Sequence, residues 1–200
     1  MKRTHWWISA LLVSGLGLSG CSPTITRVDE SAVVDLSGKW NDTDSRLVSE
    51  EMIKDVMSQP WAASFRAGEQ RDPVIIVGSV RNLSHEHINS NTFINDLERA
   101  LLNSGQVGFV ANRDSRAEIR AEREDQQVNS NPETRNRLRN ETGADFMLQG
   151  SINTIVDAIK NEQVRFYQVD LTLVDLETNR KVWIGQKKVK KTVDESFFRF

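Results

Sequence analysis

The single cysteine of this 200-residue chain, Cys21, is the feature that most limits how the chain can fold. Because there is no second cysteine, no intramolecular disulfide can constrain the unfolded state. The fold must therefore be stabilised by a packed apolar core. Hydrophobic residues make up 38% of the sequence, a modest fraction that is sufficient for one globular domain.

The residues that precede Cys21 have the organisation of an export signal. Lys2 and Arg3 are followed by a mostly apolar run of 13 residues from Trp6 to Leu18, and then by small residues. This run is shorter than the roughly 20 apolar residues that a membrane-spanning helix needs. The pattern predicts that residues 1–20 are a signal peptide that is removed after export.

The stretch Leu18-Ser19-Gly20-Cys21 resembles the lipobox of bacterial lipoproteins. The resemblance implies cleavage before Cys21 and attachment of lipid to its sulfur. An unmodified cysteine after an ordinary signal is the alternative, but a lone thiol is a liability in an oxidising compartment. Ser22 stands where an aspartate would retain such a protein in the inner membrane, so the resemblance implies the periplasmic face of the outer membrane.

Charge and composition set the limits of the exported part. The chain has 26 basic and 28 acidic residues, and removal of Lys2 and Arg3 leaves 24 basic residues and a net charge of −4. A nucleic-acid-binding domain normally has a basic excess, so we expect no nucleic-acid partner. Residues 21–33 are polar and aperiodic, which predicts a short flexible tether, and residues 34–200 are predicted to form a single periplasmic domain.

Hydrophobic periodicity predicts an α/β fold in which strands and helices alternate. The expected sheet is mixed, three-layer-like and flanked by helices, and it ends in a C-terminal antiparallel hairpin. The predicted strands are Ala32–Ser37, Pro73–Val80, Val107–Ala111 and Asp145–Ile152, and the hairpin joins 164–176 to 181–191. Four helices are predicted. The first begins near a cap at Asp42 or Asp44, and the second begins at a cap at Asn91 or Thr92 and ends at Gly105. The other two span Asp114–Gln127 and Pro132–Gly143.

Three segments resemble the LpoB family, outer-membrane lipoproteins that activate bifunctional penicillin-binding proteins. These segments are "DLSGKWNDTDS" from Asp35, "TGADFMLQGSI" from Thr142 and "LTLVDLETNRKVWIGQKK" from Leu171. The resemblance implies a fold like the TolB N-terminal domain, shared with the periplasmic domain of CsgG. It also implies a peptidoglycan synthase as partner and an outer-membrane anchor on Cys21, with peptidoglycan as a second candidate ligand.

The segment that contains Gly143 has a physical explanation of its own. Gly143 is expected to adopt the left-handed conformation that ends a helix, and the small Ala144 lets the next strand start close to that helix. The segment is therefore predicted to build the fold and to perform no chemistry.

The sequence contains no strong catalytic or metal-binding motif. His85-Glu86-His87 offers two imidazoles, but a zinc site needs a third ligand. The sequence pattern identifies no residue for that position, so we predict no metal site. Ser37-Gly38-Lys39 lacks the glycine spacing of a phosphate loop and is predicted to be a turn that Trp40 fixes to the core. No nucleophile elbow is present. We therefore expect no catalytic residue, no cofactor and no enzymatic activity.

The segment "RDSRAEIRAERED" is the best candidate for partner binding. On a helix, Arg113, Arg116, Arg120 and Arg123 fall within an arc of about 80°, and acidic residues occupy the opposite side. Two interpretations are open: tertiary neighbours neutralise the arginines, or the arginines bind an acidic partner surface or an anionic cell-wall polymer.

Two further segments lie near the C-terminus. The sequence "KKVKK", residues 187–191, is predicted to be an edge strand protected by its lysines, with contact to an anionic polymer as a secondary role. The tail "SFFRF", residues 196–200, is predicted to pack on the core.

Two other functions are alternatives to synthase activation. One is a structural or accessory lipoprotein of a CsgG-like envelope secretion or assembly complex. The other is a metal-dependent periplasmic enzyme that would use His85 and His87.

Overall fold

The computed structural model describes residues 25–29, 31–136, 140–160 and 162–194. From Val33 onward these residues form one compact unit, and the described residues before it form a short separate segment in which Asp29 accepts hydrogen bonds from Ser31. The helices are α1 (Asp42–Ser58), α2 (Trp61–Glu69), α3 (Ser90–Asn103) and α4 (Arg113–Asn129). The strands are β1 (Val74–Asn82), β2 (Gly108–Phe109), β3 (Phe146–Ile159), β4 (Glu162–Asp175) and β5 (Lys181–Asp194).

The strands form one mixed sheet in the order β2-β1-β3-β4-β5. β1 runs parallel to both β2 and β3, whereas β4 pairs antiparallel with both β3 and β5. Parallel neighbours need a crossover connection, which α3 provides between β1 and β2. The predicted mixed α/β class is therefore confirmed.

The core lies between the sheet and the helices α1 and α3, and Trp61 and Ala62 of α2 are also buried in it. α1 and α3 pack against each other, α3 also packs on β1, and α1 packs on β5. Along β4, every second side chain is buried, as expected for a strand that faces a core on one side. The α3 side chains that meet the sheet recur at helical spacing. The buried residues of these two elements are Tyr167, Val169, Leu171 and Leu173, and Phe93, Leu97 and Leu101.

The second face of the sheet is mostly polar. Its centre is Asp170, whose carboxylate accepts hydrogen bonds from the amides of Asn153, Gln168 and Gln186 at 2.8–3.4 Å. No residue of α4 is buried, so α4 adds no second helical layer to the core. The prediction of a three-layer-like fold is therefore wrong for the described residues, which form two layers, because this strand face carries polar side chains that gain nothing from apolar cover.

The helix caps differ by a few residues from those predicted. α1 begins with a capping box in which Asn41 accepts from the Asp44 N–H and Asp44 accepts from the Asn41 N–H, each at 3.0 Å. The cap of α3 is Asn89 rather than Asn91 or Thr92, and it accepts from the Asn91 N–H at 3.1 Å. The predicted end of α3 at Gly105 is confirmed, because Gly105 has a φ of +63° directly after the helix.

Two predicted elements are wrong and one was missed. Residues 32–37 form no strand: Val33 and Leu36 are 73% and 93% exposed, and no neighbouring strand pairs with them in the described structure. Of the predicted helix Pro132–Gly143, residues 132–134 form a turn and 140–143 are irregular, whereas 137–139 lie outside the described residues. That polar segment has too few apolar residues to bury a helix face. The missed element is α2, which starts immediately after Pro60.

Candidate partner-binding surfaces

The four arginines predicted to bind a partner all lie on α4. The bounds of this helix are close to the predicted ones. Asn112 caps the helix by accepting from the Ser115 N–H at 3.0 Å. Arg113 and Arg120 are exposed, and Arg116 and Arg123 are half-buried. The structure therefore places the arginines along one helix as expected, but with unequal access to solvent.

Glu141 neutralises part of this arginine face. Arg120 donates to both Glu141 carboxylate oxygens at 2.8 and 2.7 Å, and Arg123 lies 3.5 Å from the same carboxylate. The hydrogen bond from Arg120 lowers the pKa of Glu141 below its ordinary value, and the same bond raises the pKa of Arg120. Arg116 has a buried Nε with no hydrogen-bond partner among the described residues. Tertiary neighbours thus neutralise two of the four arginines, and partner binding by this face stays a prediction.

The histidines at 85 and 87 lie on an exposed loop after β1. In the described part of the chain, no three histidine, cysteine, aspartate or glutamate residues lie close enough together to hold a metal ion. Glu86, between the histidines, points toward the protein and is used in an ion pair. The metal-dependent alternative therefore gains no support from this loop.

Glu86 is the centre of a partly buried polar cluster that sequence reasoning missed. Its carboxylate accepts from Arg165 Nη1 at 2.6 Å, from the Tyr167 hydroxyl at 2.8 Å and from the Trp40 main-chain N–H at 3.2 Å. The side chains of Glu86 and Arg165 are each 14% exposed. Burial, followed by the hydrogen bond to Glu86, raises the pKa of Tyr167 far above its ordinary value. Arg165, a charged residue near the start of β4, was the available signal, but its partner is 79 residues away.

The segment Ser37-Gly38-Lys39 is a turn, as predicted. Gly38 has a φ of +64°, and its N–H donates to Asp35 at 3.1 Å. Trp40 then packs edge-on against Phe93 and Tyr167, with ring centroids 6.1 and 5.5 Å apart. The prediction that Trp40 fixes this turn to the core is confirmed.

The segment Gly143-Ala144-Asp145 has a structural role that depends mainly on its aspartate. Arg71 donates two hydrogen bonds to Asp145 at 2.7 and 2.6 Å, and the Val74 N–H donates a third at 2.8 Å. Asp145 therefore connects the starts of β1 and β3. Gly143 is not among the residues of positive φ, so the predicted left-handed conformation of Gly143 is wrong.

Replacement of Asp145 by asparagine is expected to make stability less dependent on pH. The hydrogen bonds from Arg71 lower the pKa of Asp145, whose side chain is 19% exposed. The contribution of the carboxylate is full above the unfolded-state pKa of about 3.9 and is lost as the pH falls through the lower folded-state pKa. At pH 7 we expect a loss of about 1 kcal/mol, because solvent screens the half-exposed Arg71.

Urea denaturation of both proteins at pH 7 and at a pH of about 2.5 measures this effect. The difference between wild type and Asp145→Asn should be smaller at the acidic pH, where protonation of the carboxylate begins to remove its contribution. Asp72→Asn is the matched control, because Asp72 forms an exposed pair with Arg66 at 2.7 Å. An equal loss at both pH values would contradict the assignment of the effect to the Asp145 charge.

The lysines of "KKVKK" lie on β5, which is an edge strand as predicted. Lys187 pairs with Glu51 of α1, and Lys191 lies 2.7 Å from Asp35 and 2.5 Å from Asp44. Burial alone would lower the pKa of Lys191, but these two carboxylates together raise it above its ordinary value. Lys188 and Lys190 are exposed.

Three predicted features lie outside the described residues: the signal peptide at residues 1–20, the lipidation site Cys21 and the tail at residues 196–200. Within the described ranges, no helix combines the length and the apolar character that crossing a membrane requires.

Comparison with solved structures finds several bacterial lipoproteins. The C-terminal domain of LpoB from Escherichia coli is 19% identical, with a TM-score of 0.44, over 74% of this chain and 99% of that domain. The solution structure of Escherichia coli LpoB is 16% identical, with a TM-score of 0.41, over 96% of this chain and 94% of that one. Lipoprotein GNA1162 from Neisseria meningitidis is 15% identical, with a TM-score of 0.38, over 60% and 83% of the two chains. No curated protein sequence matches.

A family comparison gives a clear assignment. The sequence profile described as peptidoglycan-synthase activator LpoB matches residues 44–189. These residues extend from the first turn of α1 into β5, and they include every strand of the sheet in whole or in part. The match covers well over half of the chain, and the protein therefore belongs to the LpoB family of peptidoglycan-synthase activators.

Proposed function

We propose that this protein binds and activates a bifunctional penicillin-binding protein from the periplasmic face of the outer membrane. The observation that carries the proposal is the LpoB family match over residues 44–189. The protein acts by docking and contributes no catalytic residue or cofactor of its own. The penicillin-binding protein performs the chemistry, and peptidoglycan is a second candidate ligand.

The anchor in this proposal is lipid on Cys21. Support comes from the sequence alone: the basic residues Lys2 and Arg3, the apolar run to Leu18 and the small residues before the cysteine. Residues 1–20 are then removed, and residues 21–33 become a tether that extends at most on the order of 40 Å. With so short a tether, the domain of residues 34–200 stays near the membrane, so the synthase must extend toward it.

The fold that accompanies this function is a TolB N-terminal-like sheet that ends in an antiparallel hairpin. Support comes from the continuous antiparallel register of β4 and β5, from the pair Glu162 and Asp194 to the pair Leu173 and Trp183. A short turn connects the two strands, and the Asp175 side chain accepts from the N–H groups of Glu177 and Thr178.

The arginine face of α4 is the surface that we assign to electrostatic docking of the synthase. It comprises Arg113, Arg116, Arg120 and Arg123. Arg113 has no ion-pair partner among the described residues, and Arg120 retains more than half of its exposure beside Glu141. Guanidinium groups bind carboxylates in a planar, two-pronged geometry, so an acidic synthase surface matches this face.

Purified protein mixed with a bifunctional penicillin-binding protein tests the proposal. We expect capture of the synthase and faster glycan polymerisation or crosslinking. Arg113→Glu with Arg116→Glu should weaken capture by about tenfold without lowering the melting temperature, because reversed charges repel an acidic surface. This pair of substitutions leaves the residues Arg120 and Glu141 themselves unchanged.

The matched control reverses charges on the other side of α4, with Glu118→Lys and Glu122→Lys, and should leave capture unchanged. If the wild-type protein neither captures nor stimulates the synthase, the proposed function is wrong. If it stimulates the synthase but the arginine variant behaves like wild type, only the assignment of the arginine face is wrong.

A further inference from the structure

β5 is a long strand at the edge of the sheet, and no described strand pairs with its outer side. It has 14 residues and pairs with β4 alone, so its outer edge is about 45 Å long. No main-chain hydrogen bond from residues 182–194 to any other described segment lies outside that pairing. An edge of this kind presents unpaired N–H and C=O groups that can template a further strand.

The charges of β5 determine what such a strand can be. Five of its 14 residues are lysine, and two of these, Lys187 and Lys191, point toward α1 and pair with carboxylates there. Lys188 and Lys190 alternate with them and lie on the opposite, polar face of the sheet, where both are exposed. The outer edge is thus bordered on one face by two exposed positive charges.

A second copy of the chain fits this edge poorly. Two β5 strands paired side by side would bring two lysine-rich segments together, and like charges on neighbouring strands destabilise the pairing. A strand with acidic side chains on the same face as Lys188 and Lys190 would form favourable cross-strand pairs instead. The complementary partner is therefore an extended acidic segment.

A cavity between α1 and β5 supplies an independent indication. It has a volume of 540 Å³, and Trp183 and Met52 give it apolar wall area. The cavity is lined by both Gly185 and Gln186, which face opposite sides of the sheet. A cavity that contacts both residues must reach the outer edge of β5. Strand addition gains affinity from main-chain hydrogen bonds and specificity from pockets that receive alternate side chains. This cavity is placed to receive an apolar side chain from an added strand.

We infer that the outer edge of β5 binds an extended acidic segment of the synthase by strand addition. Acidic side chains of that segment lie beside Lys188 and Lys190, and an apolar side chain on its other face enters the cavity beside Trp183. This inference rests on the proposed function for the source of the segment. The binding chemistry itself can be tested without the synthase.

The first test uses a capped synthetic peptide of alternating glutamate and valine, seven residues long, and a capped control peptide with lysine in place of glutamate. Hydrogen exchange of the main-chain amides of β5 is followed by NMR in the full exported chain. With the acidic peptide, alternate amides of β5 should exchange at least about tenfold more slowly, and the Trp183 indole signal should shift. The lysine peptide should change neither.

Variants test both parts of the surface. Lys188→Glu with Lys190→Glu should weaken peptide binding and synthase capture by at least about tenfold. Ser58→Phe, which introduces a large side chain at the exposed end of the cavity, should weaken both by a similar factor. Lys160→Glu with Arg99→Glu is the control of equal charge change and should bind as wild type does. Both residues are exposed, and they lie in the turn after β3 and on α3.

Three outcomes would overturn the inference. The first is peptide binding that leaves hydrogen exchange of the β5 amides unchanged. The second is capture of the synthase by the Lys188 and Lys190 variant at the wild-type level. The third is dimerisation of the protein with β5 amides protected in the absence of peptide. Absence of synthase capture by the wild-type protein would instead contradict the proposed function, while the peptide experiment would still decide whether the β5 edge accepts a strand.

Discussion

Replacement of Glu86 by alanine is expected to lower the free energy of unfolding by about 3–5 kcal/mol. The substitution leaves the Arg165 guanidinium, which is 14% exposed, without its carboxylate partner 2.6 Å away. It also removes the acceptor of the Tyr167 hydroxyl and of the Trp40 N–H. A mostly desolvated charge and two partly buried donors would lose their partners together, which costs much more than the loss of an exposed ion pair.

Urea denaturation followed by tryptophan fluorescence and circular dichroism measures this loss. Glu86→Gln should be less damaging, because the amide oxygen can still accept from Tyr167 or Trp40 while the charge on Arg165 remains uncompensated. Glu50→Ala is the control, since Glu50 is exposed and lies 3.7 Å from Arg46. A Glu86→Ala protein as stable as the control would show that the cluster does not hold the 84–88 loop to the sheet.

Replacement of Gly150 by alanine is expected to destabilise the fold by about 3 kcal/mol or more. A Cβ at this position would lie 2.0 Å from the main-chain oxygen of Asp170 and 2.6 Å from Leu171 Cδ2. The first of these atoms belongs to the backbone of the neighbouring strand, so relief of the clash requires β3 and β4 to separate at a paired position. Flexible side chains cannot absorb that movement.

Thermal and chemical denaturation of Gly150→Ala beside Gly143→Ala provide the measurement. Gly143 has no heavy atom within 4 Å of an added Cβ and no positive φ, so its substitution should be close to neutral. Gly143 lies just before β3 and Gly150 lies within it, so the two substitutions form a matched pair. Equal stability of the two variants would contradict the close approach of β3 and β4 at Gly150.

Sequence patterns predicted most of the regular elements for local physical reasons. The β-branched run at residues 73–80 and the capped apolar pattern of α3 lie within or close to the observed elements. The arginine face of α4 was also visible in the sequence, because its helix is defined by residues that are near neighbours. Its partial neutralisation by Glu141 was left as one of two alternatives, because that contact joins residues about 20 positions apart.

Predictions failed where local propensity needed a tertiary partner. Residues 32–37 include the β-branched residues that strands favour, but no described strand lies beside them. The predicted helix at 132–143 was based on Pro132 and Gly143 as boundaries, although the segment between them offers little apolar surface. Boundary signals cannot compensate for a missing buried face.

The amino-acid sequence alone determined the class of the fold, the arginine face of α4 and the lysine-rich character of β5, because each depends on residues that are close in the chain. Only the tertiary structure decided which of those lysines remain exposed, since Lys187 and Lys191 meet carboxylates of the α1 region while Lys188 and Lys190 do not. It also decided that Glu86 and Arg165 form a partly buried pair and that β5 is the last strand of the sheet. The physical reason is that strand order and burial depend on contacts between distant residues, which local periodicity does not encode.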